Sequence, residues 1–170
     1  MFPPRCGWRL SKGLGYTFEC GEISMAHIIF YEKPGCLNGR LQKAMLEASG
    51  HTLEVRNLLT ETWQAATLRP YFGKKPVKEW FNRSAPKIKS GEVVPYSFTE
   101  KSALQAMLSD PLLIRRPLMK SGGGYMSGFE PEEVDHWIGL KKGPQPTGKP
   151  LDLESCPKGH AAEACRVEAL

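Results

Sequence analysis

No stretch of about 18 apolar residues occurs in this 170-residue chain, so no segment reads as a membrane-spanning helix. No long basic block is present, and basic residues do not alternate with aromatic ones. The net charge is only +5, with both signs mixed along the chain, which argues against nucleic acid as a primary partner. The five cysteines, Cys6, Cys20, Cys36, Cys156 and Cys165, are odd in number and lack the spacing of a secreted disulfide scaffold. A reducing cytoplasm is the expected compartment. No internal repeat is found. The glycine run "SGGGYMSG" lacks the lysine and the spacing of a phosphate-binding loop and reads as a hairpin turn.

The first 24 residues have basic side chains but no continuous apolar core, so they make a poor signal peptide. A strand begins directly after Met25, and Gly21-Glu22 suits a ribosome-binding site in the underlying message. Residues 1–24 are therefore expected to be a non-native or disordered extension, with Met25 as the true start. From Lys141 onward the chain is rich in Pro, Gly and polar residues, so residues 141–170 are expected to be a flexible tail. One domain is left, at 25–140. With 41% hydrophobic residues the chain can build a core.

Within that domain "HIIFY" reads as a buried strand. Pro34-Gly35 makes a turn, and a helix is expected from Leu37 to Ser49. Leu41, Ala44, Met45 and Ala48 recur at helical spacing and should form its buried face. "TLEVRNL" at 52–58 is a second strand, so the first three elements form a βαβ unit with a parallel pair. A helix capped by Thr60 and bent at Pro70, a short helix in "KPVKEWFNRSA" and a helix capped by Thr99 follow. "LLIRRPLMK" at 112–120 approaches a third strand, the glycine hairpin supplies a fourth, and a last helix starts at Pro131. The order is β-α-β, a helical insertion, then β-β-α, an α/β arrangement of thioredoxin-like type.

Cys36 is the cysteine inside this domain. At the start of a helix, free N–H groups and the helix dipole favour a thiolate, and Arg40 lies one turn on. The alternative reading is a buried, inert thiol. "CPKGHAAEAC" gathers Cys156, His160 and Cys165, one ligand short of a structural zinc site, so no metal is expected. His27, His51 and His136 read as structural or exposed, and Trp63, Trp80 and Trp137 as core anchors.

"YEKPGCLNGR" resembles the active-site segment of the glutaredoxin-coupled arsenate reductases and their Spx-type relatives, through Tyr31, Pro34, Cys36 and Arg40. "DPLLIRRPLM" and "FEPEEV" resemble that family's second and third signatures. The middle segment "YFGKKPVKEWFNRSAPKIKSGEVVP" is similar to the nitrogenase-associated branch. The resemblance spans roughly residues 26–140. It implies a thioredoxin-like fold, Cys36 as nucleophile with Arg40 and Arg116 beside it, and a cis bond before Pro117 facing the cysteine. Pro34 and Pro117 would shape the site. It also implies expression alongside nitrogen-fixation functions in a bacterium. The expected protein is a monomeric thiol oxidoreductase with no bound cofactor, using glutathione as co-substrate and partnered by glutaredoxin or a nitrogen-fixation protein.

The chain departs from the family at three places. The middle-helix arginine of the family falls on Asn82, beside Arg83, and the arginine before the last helix falls on Glu130. A carboxylate about 4 Å from an anion repels it by about 4 kcal/mol at an effective dielectric of 20, so arsenate reduction is not expected. The position that would complete a Cys-x-x-Cys pair holds Gly39, so any resolving cysteine for Cys36 must be Cys156 or Cys165. The competing functional classes are a non-catalytic binding module for a nitrogen-fixation or transcription partner, and a transcription-associated regulator.

Overall fold

A computed structural model describes residues 7–10, 16–19 and 25–141. Strands β1 (Gly7–Leu10) and β2 (Tyr16–Glu19) pair antiparallel as a separate ribbon. This pair lies within residues 1–24, the segment read from the sequence as a non-native or disordered extension. Strand β3 (His27–Glu32) leads through the Pro34-Gly35 turn into helix α1 (Leu37–Ala48) and then strand β4 (Thr52–Asn57). Strands β5 (Leu118–Ser121) and β6 (Gly124–Ser127) complete a four-stranded sheet in the order β4-β3-β5-β6. β3 runs parallel to β4 and antiparallel to β5, and β5 and β6 form a hairpin. Gly122 and Gly123, with φ of 53° and 83°, provide the left-handed turn that a two-residue hairpin requires. This is the thioredoxin-like architecture read from the element order.

Alternation along β3 splits the core between the two faces of the sheet. Ile28 and Phe30 point to one face and pack with Leu46 of α1, Met119, Phe129, and Val134 of helix α5 (Pro131–Ile138). Tyr31 points to the other face and packs with Leu68, Tyr71, Phe72, Trp80, Phe81, Met107 and Leu118. That second face is covered by the insertion, which contains three short or medium helices: α2 (Ala65–Leu68), α3 (Pro86–Lys89) and α4 (Glu100–Ser109). Trp80 is fully buried, stacks on Phe72 at 4.6 Å and donates its indole N–H to the Lys75 carbonyl at 2.7 Å. It is the core anchor expected of it.

Several boundaries differ from the sequence expectation. Thr60 does not start a helix; α2 begins after Gln64, whose N–H bonds the Thr67 hydroxyl at 3.2 Å, and Pro70 sits in a following 3-10 turn. "KPVKEWFNRSA" forms a 3-10 turn, Val77–Glu79, and α3 starts only at Pro86. The third strand starts at Leu118, because Pro111–Leu113 forms a 3-10 turn held by the Asp110 carboxylate accepting from the Leu112 N–H.

The larger correction concerns α1. Leu41 is 45% exposed, Ala44 and Ala48 are also exposed, and only Met45 is partly covered. The inward face instead carries Asn38, Gly39, Gln42 and Leu46. Gly39 packs so closely on the Glu32 carboxylate of β3 that a Cβ there would overlap it. Glycine here lets the inward face lie close against the end of β3, and the leucine–alanine stripe faces outward.

His51 ties the two ends of the domain together. Its Nδ1 accepts from the Ala26 N–H at 3.2 Å and its Nε2–H donates to the Gly139 carbonyl at 2.6 Å. Both bonds are long-range and the ring is buried. Replacing His51 by Ala is expected to cost about 1–3 kcal/mol, read as a lower urea midpoint in equilibrium unfolding.

Candidate functional site

Cys36 is the N-cap residue of α1, with extended backbone angles of φ −72° and ψ 120°. No side chain caps the first turn. The Cys36 N–H donates to the Lys33 carbonyl at 3.3 Å, closing the Pro34-Gly35 turn, and the Arg40 N–H donates to the Cys36 carbonyl at 3.2 Å. Gly35 has φ of 77°, which suits glycine in this turn. Cys36 is partly exposed and its thiol is free. The loop thus places one free cysteine, partly exposed as a residue, at a helix start.

The sheet brings a second segment to the same end. The last β3–β5 rung pairs Tyr31 with Leu118, and the same register continued sets Glu32 beside Pro117 and Lys33 beside Arg116. The Arg116–Pro117 bond is cis, the isomer expected of it. Pro117 is buried and Arg116 partly exposed. Gly128 donates its N–H to the Pro117 carbonyl at 2.9 Å, which draws the end of β6 and Glu130 to this edge. Arg40 is exposed on α1. Neither Arg40 nor Arg116 is tied to a carboxylate among the described residues.

Two acidic groups shape the surroundings. The Glu32 side chain is 13% exposed and pairs through Oε1 with Lys43 Nζ at 2.5 Å. Its Oε2 is buried with no hydrogen-bond partner among the described residues. A methyl group placed on Gly39 would touch both this carboxylate and Cys36 Cβ, the latter at 3.6 Å. Glu32 therefore flanks the cysteine loop. Glu130, at the other side, is paired with Arg115 at 3.2 Å, and Arg115 also donates to the Glu79 carbonyl at 3.3 Å. Arg115 is 11% exposed, so its charge is largely committed to these partners.

Asn82 and Arg83 do not join the site. The Asn82 side chain is buried, donates to the Leu112 carbonyl at 3.0 Å and accepts from the Ser84 N–H at 3.0 Å. It fastens the insertion to the segment before β5. Arg83 is exposed. Tyr31 belongs to an aromatic group with Trp63 at 5.0 Å and Tyr71 at 6.0 Å, and burial raises the Tyr71 phenol above its ordinary range. Cys156, His160 and Cys165 lie outside the described residues.

The model of the ArsC family matches residues 31–137, from the cysteine loop through the last helix. The chain belongs to the ArsC family. It is 46% identical over 144 residues to a 15.7 kDa protein in the draG 3′ region of Rhodospirillum rubrum, covering 85% of this chain and 97% of that one. It is 29% identical over 112 residues to the YfgD protein of Escherichia coli, covering 64% of this chain and 94% of that one. Among solved structures, an ArsC family related protein from Bacteroides fragilis aligns with a TM-score of 0.58 at 22% identity, over 64% of this chain and 97% of that one. An arsenate reductase from Vibrio cholerae aligns with a TM-score of 0.55 at 23% identity, over 65% and 97%. At these identities the structural likeness concerns the fold.

In this ArsC-family chain, Glu32, Lys43 and Arg115 were not singled out by sequence reasoning. The doublet Arg115-Arg116 before Pro117, together with an acid at 130, was the available signal for a charge pair. The signal for Glu32 was weaker, because only the folded loop brings Gly39 against it. Gly39→Ala is expected to cost about 1–3 kcal/mol through overpacking. Combining it with Glu32→Ala should recover most of that loss, which urea unfolding of the two single variants and the double variant will measure.

Proposed function

We propose that this chain is a cytoplasmic thiol oxidoreductase that acts through Cys36, with glutathione as the external thiol and glutaredoxin as the protein that completes the cycle. The observation that carries the reading is a free, partly exposed cysteine at the N-cap of α1, where no side chain caps the first turn by a hydrogen bond. The Cys36 sulfur attacks one sulfur of a disulfide substrate. The other substrate sulfur leaves and takes up the proton that Cys36 released. A glutathione thiolate then attacks the substrate sulfur held on Cys36, which frees Cys36 and releases a mixed disulfide that glutaredoxin reduces with a second glutathione.

The charge arrangement favours a disulfide over an inorganic oxyanion. Of the family's arginine positions, 82 holds a structural asparagine and 130 a glutamate held by Arg115. Arg40 and Arg116 are left to attract the carboxylates of glutathione. The relative in the draG 3′ region, together with the nitrogenase-associated character of the middle segment, supports a role beside nitrogen fixation.

A second reading has an observation of its own. The exposed stripe of Leu41, Ala44 and Ala48, with Val55 47% exposed on the edge strand β4, suits a binding module for a nitrogen-fixation partner.

Incubation with oxidised glutathione is expected to place one glutathione on Cys36, seen by peptide mass spectrometry and lost in Cys36→Ser. Arg40→Ala and Arg116→Ala should each slow adduct formation by roughly tenfold at low salt. A Cys36 that stays unmodified, in cells where Cys36→Ser fixes nitrogen normally, would decide for the binding module.

A further inference from the structure

Strand β4 lies at an edge of the four-stranded sheet. The Thr52 N–H donates to the Ala26 carbonyl at 3.0 Å, and the Leu58 N–H donates to the Glu32 carbonyl at 2.9 Å. In a parallel pair, alternate residues turn both backbone groups toward the neighbouring strand. The even-numbered residues of β4 therefore face β3, and Leu53, Val55 and Asn57 direct their N–H and C=O outward. The outward groups of Leu53 and Val55 have no partner among the described residues. Native proteins blunt such an edge with proline, a bulge, lysine or a covering element. β4 has no proline, glycine or lysine, and its register with β3 runs unbroken from Thr52 to Asn57. Val55 is 47% exposed, and Glu54 and Arg56 are exposed as well.

We propose that β4 pairs antiparallel with the β4 of a second copy of this chain, about a two-fold axis at Val55. Outward groups must meet outward groups, so odd-numbered residues face odd-numbered ones. Two registers then overlap the strand best. An axis at Glu54 sets the two Glu54 side chains against each other, and like charges directly opposite are destabilising. An axis at Val55 sets Glu54 against the second copy's Arg56, and Arg56 against its Glu54. These are non-hydrogen-bonded pairs, in which Cα atoms approach to about 4.5 Å and side chains are closest. On the other face Val55 meets Val55, and the two residues exchange a pair of backbone hydrogen bonds. Leu53 meets Asn57, whose carbonyl keeps a second lone pair beside its 3.5 Å bond from the Thr60 hydroxyl.

Within one chain Glu54 and Arg56 already pair at 2.6 Å, too exposed to add much alone. Across the axis the two pairs become a square of four alternating charges. This self-complementarity points to a second copy rather than to an unrelated strand. The proposal is independent of the chemistry at Cys36, and it is the alternative to the monomer expected from the sequence.

The test is sedimentation equilibrium of the full chain at low salt, with reductant present so that no disulfide contributes. Wild type is expected to dimerise. Glu54→Arg and Arg56→Glu should each weaken the dimer at least tenfold, because each variant sets like charges opposite one another twice. Mixing these two variants should restore a dimer with one chain of each kind, since every cross-strand pair is then complementary. Misfolded chains would give no such recovery. Val55→Pro removes an outward N–H and leaves the bonds to β3 in place, so it should abolish the dimer with an unchanged circular dichroism spectrum. Wild type that stays monomeric at high micromolar concentration would overturn the proposal, and so would a mixture no more dimeric than its parts. A dimer that survives these variants but dissolves in Leu41→Glu would give the interface to the α1 stripe and overturn it as well.

Discussion

The close approach of Gly39 to the Glu32 carboxylate is the contact on which the site depends. A Cβ at position 39 would meet the end of the Glu32 side chain, which would have to shift, so glycine permits the close approach of α1 to the end of β3. Once that face is set, Asn38, Gln42 and Leu46 turn inward and Leu41, Ala44 and Ala48 turn outward. The same rotation places Lys43 over Glu32 and leaves Cys36, free and partly exposed, at the helix start. A loop that might be read as a container for an anion is thus built around a buried carboxylate that a lysine partners.

The opposite wall follows a similar logic. Glu130 is paired with Arg115, which stands beside it as the compensating charge. The pair is partly exposed, so its contribution to stability is modest. Its consequence for recognition is larger, because Arg115 is committed to Glu130 and the Glu79 carbonyl and is not offered to a ligand. Asn82 is committed too, to the backbone around Leu112. Arg40 is exposed one turn into α1, and Arg116 is partly exposed before the cis bond.

Much of this fold was legible in the residues. "HIIFY", the Pro34-Gly35 turn, the glycine hairpin and Pro131 each state a local preference that the tertiary structure leaves unchanged, and their order yields the topology. The insertion was harder, because Pro70, Pro76, Pro86, Pro95 and Pro111 break it into turns whose lengths are decided by packing on Trp80 and Phe81. The inner face of α1 was misread because hydrophobic spacing favoured Leu41 and Ala44, whereas the helix lays Gly39 close against the end of β3. The cis bond before Pro117 could be anticipated from its motif, but the pairings of Glu32, Lys43 and Arg115 could not, since they arise from partners distant in sequence.

The central proposal is that Cys36 serves thiol exchange and that its site does not hold an oxyanion. Protection of Cys36 from iodoacetamide by added arsenate measures this directly, with peptide mass spectrometry following Cys36 alone. The account predicts the same alkylation rate with and without millimolar arsenate at neutral pH and constant ionic strength. A rate that falls in a saturable manner as arsenate is raised would show a working oxyanion site and contradict it.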